Sequence, residues 1–366
     1  MSTTDSTQND RFRFAVVGAG VIGKHHGKVI GQLADQIELV AVVDHLTERA
    51  ERIVGEHGGG AFTSLADALA ATAVDVVVVC TPTGAHGEVA IEALAAGKHV
   101  IIEKPAEVTL AKTDQIIEAQ RAAGTQVAVI SQHRFDPAFE VTQRAIANGE
   151  LGRITSGIAS IDWWRGQSYY DSGDWRGTWE LDGGGALMNQ GVHTVDLLVA
   201  ALGQPVEVFA YAETLAHERI ETEDVAVGVI RFASGALGVL HGTTAAYPGL
   251  SARLQVHGDK GSVVIENDEF TFVHLTPQGQ DREEKLMGSV GKDTNEAEKY
   301  RAAEGSATAG RDPGQLSDAH RSQYENFLAA LRGEAEVRVG LAENRKSISV
   351  ILGAYESART GRPVPL

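Results

Sequence analysis

The chain has 366 residues, more than one typical hydrophobic core supports and enough for two domains. Acidic residues outnumber basic ones, 49 to 32, for a formal net charge of -17, which repels nucleic acid and anionic membrane surfaces. Cys80 is the only cysteine, so an intrachain disulfide and thiolate metal clusters are excluded. No run of about 18 apolar residues exists to cross a membrane. These features point to a cytoplasmic protein, with polar residues 1–10 expected as a disordered tail that carries no signal or lipidation pattern.

Residues 12–17 are an apolar, β-branched run ending in Gly18-Ala19-Gly20. Apolar periodicity over 21–33 predicts a helix, and 38–43 a second strand. That order, strand, tight turn, helix, strand, is a βαβ unit. Further helices are expected from about 46 and from Ser64. Residues 75–80 hold four consecutive Val and read as a strand buried on both faces, as a parallel sheet requires. Helix 86–96, strand 98–102, helix 110–123 and strand 126–130 continue the alternation. The pattern predicts a doubly wound α/β Rossmann domain over 11–131.

The rhythm changes near Gln132, and strands dominate from Ile154. Residues 225–232 and 236–241 flank Ala233-Ser234-Gly235, and 254–257 and 262–266 flank Gly258-Asp259-Lys260-Gly261, both hairpin signatures. Residues 270–275 alternate again. An α+β domain over 132–366 is expected, with a large, mostly antiparallel, open-faced sheet and helices on one face. Residues 277–310 read as a long loop or an irregular insertion containing helix, and 316–331 and 347–359 as amphipathic helices.

Gly18, Gly20 and Gly23, with Val21 and Ile22 between them, match the GxGxxG turn of dinucleotide-binding folds. Gly18 permits the turn, Gly20 lets backbone approach a pyrophosphate, and Gly23 lets the helix pack on the sheet. Free N–H groups at the helix start then face the phosphates. Asp44 ends the second strand, where a carboxylate takes ribose hydroxyls and repels a 2′-phosphate, so NAD is expected rather than NADP.

Glu103-Lys104-Pro105 follows strand 98–102 and so falls at the carboxyl edge of the sheet. A lysine there is suited to bind a substrate hydroxyl and stabilise a developing alkoxide, with Glu103 fixing it. Downstream, Gly183-Gly184-Gly185 opens a segment in which Asn189 and His193 stand four apart, on one face of an expected helix. His193 is a candidate acid/base, and Val192, Val195 and Leu198 a core-packing face. All four tryptophans, Trp163, Trp164, Trp175 and Trp179, precede this segment, interleaved with Arg165, Tyr169, Tyr170, Asp171, Asp174 and Arg176. Such a mixture serves sugar binding, an aromatic core or a subunit contact. No metal site is expected: His25 and His26 are helix neighbours, and no HExxH or Cys/His spacing is present.

The GAGVIG turn, Thr81-Pro82 with His86, the GKHVIIEKP segment, the GGGALMNQGVHTVDLL segment and the ending SARTGRPV together resemble the glucose–fructose oxidoreductase / inositol dehydrogenase (Gfo/Idh/MocA) family over nearly the whole chain. The resemblance implies an NAD-dependent dehydrogenase oxidising a secondary hydroxyl of a sugar, sugar derivative or inositol. Lys104 would anchor substrate, and His193 would be the general acid/base. Thr81, Pro82, His86 and Glu103 would lie with the cofactor, and Trp163, Arg176 and Asn189 with the substrate. Inositol dehydrogenases have Asp where this chain has Asn189, and an amide exchanges no proton at neutral pH, so Asn189 is expected to bind substrate or orient His193. Asp196 is expected to be structural. The family also contains NAD-using glycosidases and non-catalytic NAD-responsive regulators; presence of both Lys104 and His193 argues against the regulator. A homodimer or homotetramer built on the second domain's sheet is implied as well.

Overall fold

A computed structural model describes residues 11–282, 294–303 and 317–366. The expected tail at 1–10, and 283–293 and 304–310 of the expected insertion, lie outside the described residues. Contacts divide the chain into two compact units.

The first unit holds β1 (Phe12–Val17), α1 (Val21–Gln32), β2 (Ile37–Val43), α2 (Thr47–His57), β3 (Gly60–Phe62), α3 (Leu65–Ala71), β4 (Val76–Val79), α4 (His86–Ala95), β5 (His99–Ile102), α5 (Leu110–Ala123) and β6 (Val127–Val129). Its six strands are all parallel, in the order β3-β2-β1-β4-β5-β6. The order reverses between β1 and β4, the point at which such sheets open a crevice at their carboxyl edge. The Val76–Val79 run is fully buried, as helices on both sheet faces demand. Ser64 caps α3 by accepting from the Asp67 N–H. The three-residue β3 is too short to show a period, and sequence reading passed over it.

The second unit holds α6 (Pro137–Ala147), β7 (Ile154–Asp162), α7 (Gln167–Tyr170), α8 (Val192–Leu202), β8 (Pro205–Glu213), β9 (Val225–Phe232), β10 (Leu237–Thr243), β11 (Ala252–Gly258), β12 (Ser262–Glu266), β13 (Glu269–His274) and α9 (Ala297–Ala303). After α10 (Ser317–Leu331), it is completed by α11 (Leu341–Thr360) and β14 (Val364–Pro365). Its eight strands run β13-β12-β11-β7-β10-β9-β8-β14, antiparallel throughout except for the β7–β10 pair. One face packs on α8 so closely that a Cβ on Gly157 of β7 would lie 2.7 Å from Leu198 Cδ1. Among the described residues the other face is open, and Tyr211, Val227, Val229, Leu237 and Val239 are exposed on it.

The division is discontinuous, where the sequence suggested a single cut at 131. α10 and the segment after it to Leu341 belong to the first unit. The reason is apolar burial. Tyr324, Phe327 and Leu328 of α10 are buried in one cluster with Phe14, Val16 and Val29, and the Phe14 and Tyr324 rings stack at 5.9 Å. Burying side chains of this size stabilises by roughly 1.5–3 kcal/mol each. The Val129 N–H also donates to Val339 O at 2.9 Å, and Gln323 Nε2 to Val129 O at 2.8 Å, tying the segment to β6.

Candidate functional site

In the first unit, three strand ends build a cradle. Gly18, at φ +99°, leaves β1 where a Cβ would sit 2.5 Å from the Cys80 carbonyl oxygen, and a Cβ on Gly23 would sit 1.9 Å from Gly18 O. Both positions therefore require glycine to close the turn. Gly20 differs: nothing lies within 4 Å of its Cβ direction, so the space above it is open. α1 starts there without a side-chain cap or an acidic residue in its first turn, and Val21 is 89% exposed. Its first N–H groups and positive dipole end are thus left without a side-chain acceptor, the arrangement that suits an anion. Asp44, buried just past β2, accepts from Ala19 N–H at 2.8 Å and Leu46 N–H at 2.9 Å, which ties it to the glycine turn. Thr81 follows β4, and its buried Oγ1 has no hydrogen-bond partner among the described residues. An open glycine, an uncapped helix start and an orphaned hydroxyl on one sheet edge fit a dinucleotide.

β5 ends at Glu103-Lys104-Pro105, and the Lys104–Pro105 peptide is cis. Glu103 is buried and accepts from His26 Nε2 at 2.8 Å and from the Lys104 backbone N–H at 3.0 Å. Burial would raise its pKa, but hydrogen bonds and charge from His26 and His320 hold it well below the usual carboxylate range. His26 Nδ1 lies 2.7 Å from Tyr324 Oη, so a buried line runs Tyr324–His26–Glu103 to the Lys104 backbone. Beside it, burial and the neighbouring His320 and His26 push His25 down to about 4. Sequence reading singled out Glu103 and Lys104 but missed His26, His320 and Tyr324, because their partners are distant in sequence. His86 is 1% exposed and reaches Thr81 O at 2.8 Å and Pro105 O at 2.9 Å. It ties those two loop backbones together. Pro82 lies exposed between them.

In the second unit, residues 183–193 take a shape the sequence did not suggest. Ala186–Gly191 is a π-helical turn, and α8 begins only at Val192. The expected regular helix is therefore interrupted: Asn189 lies in the π-turn and His193 in the first turn of α8. The turn is anchored at its start by Glu223, which accepts from Gly185 N–H at 2.9 Å, Leu187 N–H at 2.7 Å and Tyr355 Oη at 2.9 Å. A Cβ on Gly185 would collide with Glu223 O at 1.9 Å, so the third glycine is obligatory. Burial pushes the Glu223 carboxyl up to about 7 against the pull of these donors.

His193 is half-buried, its ring edge-to-face with His133 at 5.0 Å. His133 sits between Asp136 at 2.7 Å and Asp268 at 3.0 Å; burial opposes its charge, yet the two carboxylates raise its pKa well above normal. Asp196 is structural as expected, held by both Arg134 nitrogens at 2.6 and 2.7 Å, by Ser131 at 2.8 Å and by Ser347 at 2.7 Å. Asn189 Nδ2 donates to Asp182, and its Oδ1 accepts from Gln190 Nε2 at 3.1 Å. Gln190 then joins Tyr169 and Arg165, so the aromatic segment, with Trp163 and Arg176, lies in one polar layer with Asn189. Among the described residues no helix is long and apolar enough to cross a membrane.

A parallel sheet with a glycine cradle, in one chain with an α+β unit that carries an amide on a π-turn and a histidine in the first turn of the following helix, defines a dinucleotide-dependent oxidoreductase. The description "Oxidoreductase family, NAD-binding Rossmann fold" matches residues 12–131, and "GFO/IDH/MocA C-terminal domain" matches 139–264. The chain belongs to the Gfo/Idh/MocA family of NAD-binding oxidoreductases. It is similar to the myo-inositol 2-dehydrogenase of Thermotoga maritima, 31% identical over 288 residues, covering 75% of this chain and 81% of that one. The WlbA dehydrogenase of Chromobacterium violaceum, solved with NADH and UDP-GlcNAcA, is 34% identical with a TM-score of 0.84, covering 98% of this chain and 96% of that one. Its counterpart from Bordetella pertussis, with the same ligands, is 32% identical with a TM-score of 0.85, covering 97% and 98%.

Proposed function

We propose that the protein oxidises a secondary hydroxyl of a sugar, sugar derivative or inositol, with Lys104 anchoring the substrate and His193 exchanging the hydroxyl proton. The observation that carries this reading is the position of Lys104. It leaves the carboxyl end of β5, on the same sheet edge as the glycine turn after β1 and Thr81 after β4. NAD, held on that cradle, supplies the hydride acceptor. The Lys104 ammonium donates to the hydroxyl oxygen and stabilises the negative charge that grows there. The His193 imidazole takes the departing proton. Asn189 exchanges no proton and binds or orients. The UDP-GlcNAcA bound to the two WlbA relatives supports a nucleotide-linked sugar within this class.

Lys104→Ala and His193→Ala are each expected to lower kcat by at least about 100-fold, while calorimetric titration shows NAD still binding. Steady NADH accumulation on sugar addition separates this activity from an NAD-using glycosidase. Full turnover in both variants sinks the assignment. We also propose that the chain assembles as a homodimer or homotetramer through the open face of its eight-stranded sheet, and that it works in the cytoplasm; the exposed apolar row on that face and the buried, unpaired Cys80 support these readings.

A further inference from the structure

Several of the described arginines lie against carboxylates, as with Arg13 on Asp75, Arg134 on Asp196 and Arg219 on Asp171. Arg165 and Arg176 do not: neither has a carboxylate within ion-pair distance among the described residues. Both are half-buried and both lie over the Tyr169 ring, Arg165 at 5.4 Å and Arg176 at 4.2 Å. Trp163 lies beneath Arg165 at 5.1 Å, and Trp175 beneath Arg176 at 4.5 Å. The stacked guanidinium groups are thus held in place by aromatic faces rather than by counter-charges.

The hydrogen-bond inventory leaves donors in surplus. Tyr169 Oη accepts from Arg176 Nη1 at 2.6 Å and from Gln190 Nε2 at 2.8 Å. Both lone pairs are used, so its own proton must be donated elsewhere, and burial raises its pKa and keeps that proton on. Arg165 spends Nη2 on Gln190 Oε1 at 2.8 Å and Nη1 on Trp164 O at 3.2 Å, leaving Nε–H and further protons. The nearest carboxylate of this layer, Asp182, serves Asn189 Nδ2 and the Gly177 N–H. His217 fixes the loop by donating from Nε2 to Arg165 O at 2.7 Å while its Nδ1 faces Asp224.

We infer that Arg165, Arg176 and the Tyr169 hydroxyl form a subsite for an oxyanion, a carboxylate or phosphate carried on the sugar substrate. A planar fork beside a phenolic donor suits a two-oxygen acceptor. The inference rests on the sugar dehydrogenase reading and narrows its substrate to acidic sugars. The subsite joins the Asn189 layer through Gln190, so the anionic substituent anchors the ring whose hydroxyl reacts.

The test is tryptophan-fluorescence titration of the NAD-loaded protein, using the rings of Trp163 and Trp175, run alongside NADH formation. UDP-glucuronate against UDP-glucose isolates a carboxylate; glucose 1-phosphate against glucose isolates a phosphate. One acid should bind at least about tenfold tighter than its neutral parent, a ratio typical of a charge-assisted hydrogen bond. That preference should fall towards one in Arg165→Gln and Arg176→Gln, survive in part in Arg176→Lys, and erode with rising salt. Equal binding of acid and parent, or a preference untouched by all three substitutions, overturns the subsite. NADH formed from neutral sugars without acid preference overturns the subsite alone. Acid preference in the titration with no NADH from any sugar overturns the dehydrogenase reading alone.

Discussion

Asp44 holds the glycine turn through one oxygen and the start of the next loop through the other, so its carboxylate is oriented before any ligand arrives. We propose that this carboxylate accepts from the ribose hydroxyls and that its negative charge rejects a 2′-phosphate. Asp44→Ser, which retains an acceptor but no charge, is expected to weaken NAD binding about tenfold, the worth of a charge-assisted hydrogen bond, and to raise the NADP-to-NAD ratio. Calorimetric titration with both cofactors measures this; an unchanged ratio refutes the role. The same scale separates Lys104 from its support. The lysine was visible in sequence because it follows a strand, whereas the Tyr324–His26–Glu103 line behind it joins residues from α10, α1 and the end of β5.

The π-helical turn Ala186–Gly191 depends on one buried carboxyl for its anchorage. Glu223 has its folded pKa raised to about 7 from an ordinary value of 4.5, by burial. Below about 4.5 the carboxyl is neutral in both folded and unfolded chains, and its contribution to stability is fully present. As pH rises towards and through about 7, the unfolded chain ionises first and that contribution is lost. The slope amounts to up to about 3 kcal/mol across this window. Glu223→Gln cannot ionise, so its denaturation midpoint should gain on the parent chain from pH 5 to 7 and run parallel above pH 8. Parallel curves across the whole range refute the assignment. Sequence reading placed a helix here because the apolar positions Val192, Val195 and Leu198 are real and buried, but the extra residue per turn before them leaves no periodic mark.

At the scale of the whole molecule, the eight-stranded sheet presents one face to α8 and, among the described residues, leaves the other uncovered. Phe209, Val229, Val239 and Ile158 stand side by side across β8, β9, β10 and β7. An apolar row of this kind is uncommon on a monomer's surface. Val229→Asp with Val239→Asp places like charges opposite one another, away from the core. The pair is expected to shift the mass seen by light scattering to that of one chain while the far-ultraviolet dichroism stays unchanged. A wild-type chain that already runs as a monomer refutes assembly through this face.

The sequence by itself determined the doubly wound order of the first unit, the mostly antiparallel sheet of the second, the glycine cradle with Asp44, and the dinucleotide cofactor. These follow from periodicity, turn chemistry and short-range spacing, all local in the chain. Only the tertiary structure decided that α10 belongs with the first unit, that Glu103 is gripped by His26 near His320, and that Arg165 and Arg176 share one tyrosine without a counter-charge. Such groupings arise where burial and hydrogen bonding join segments far apart in sequence, and neither process leaves a repeat or a spacing to read.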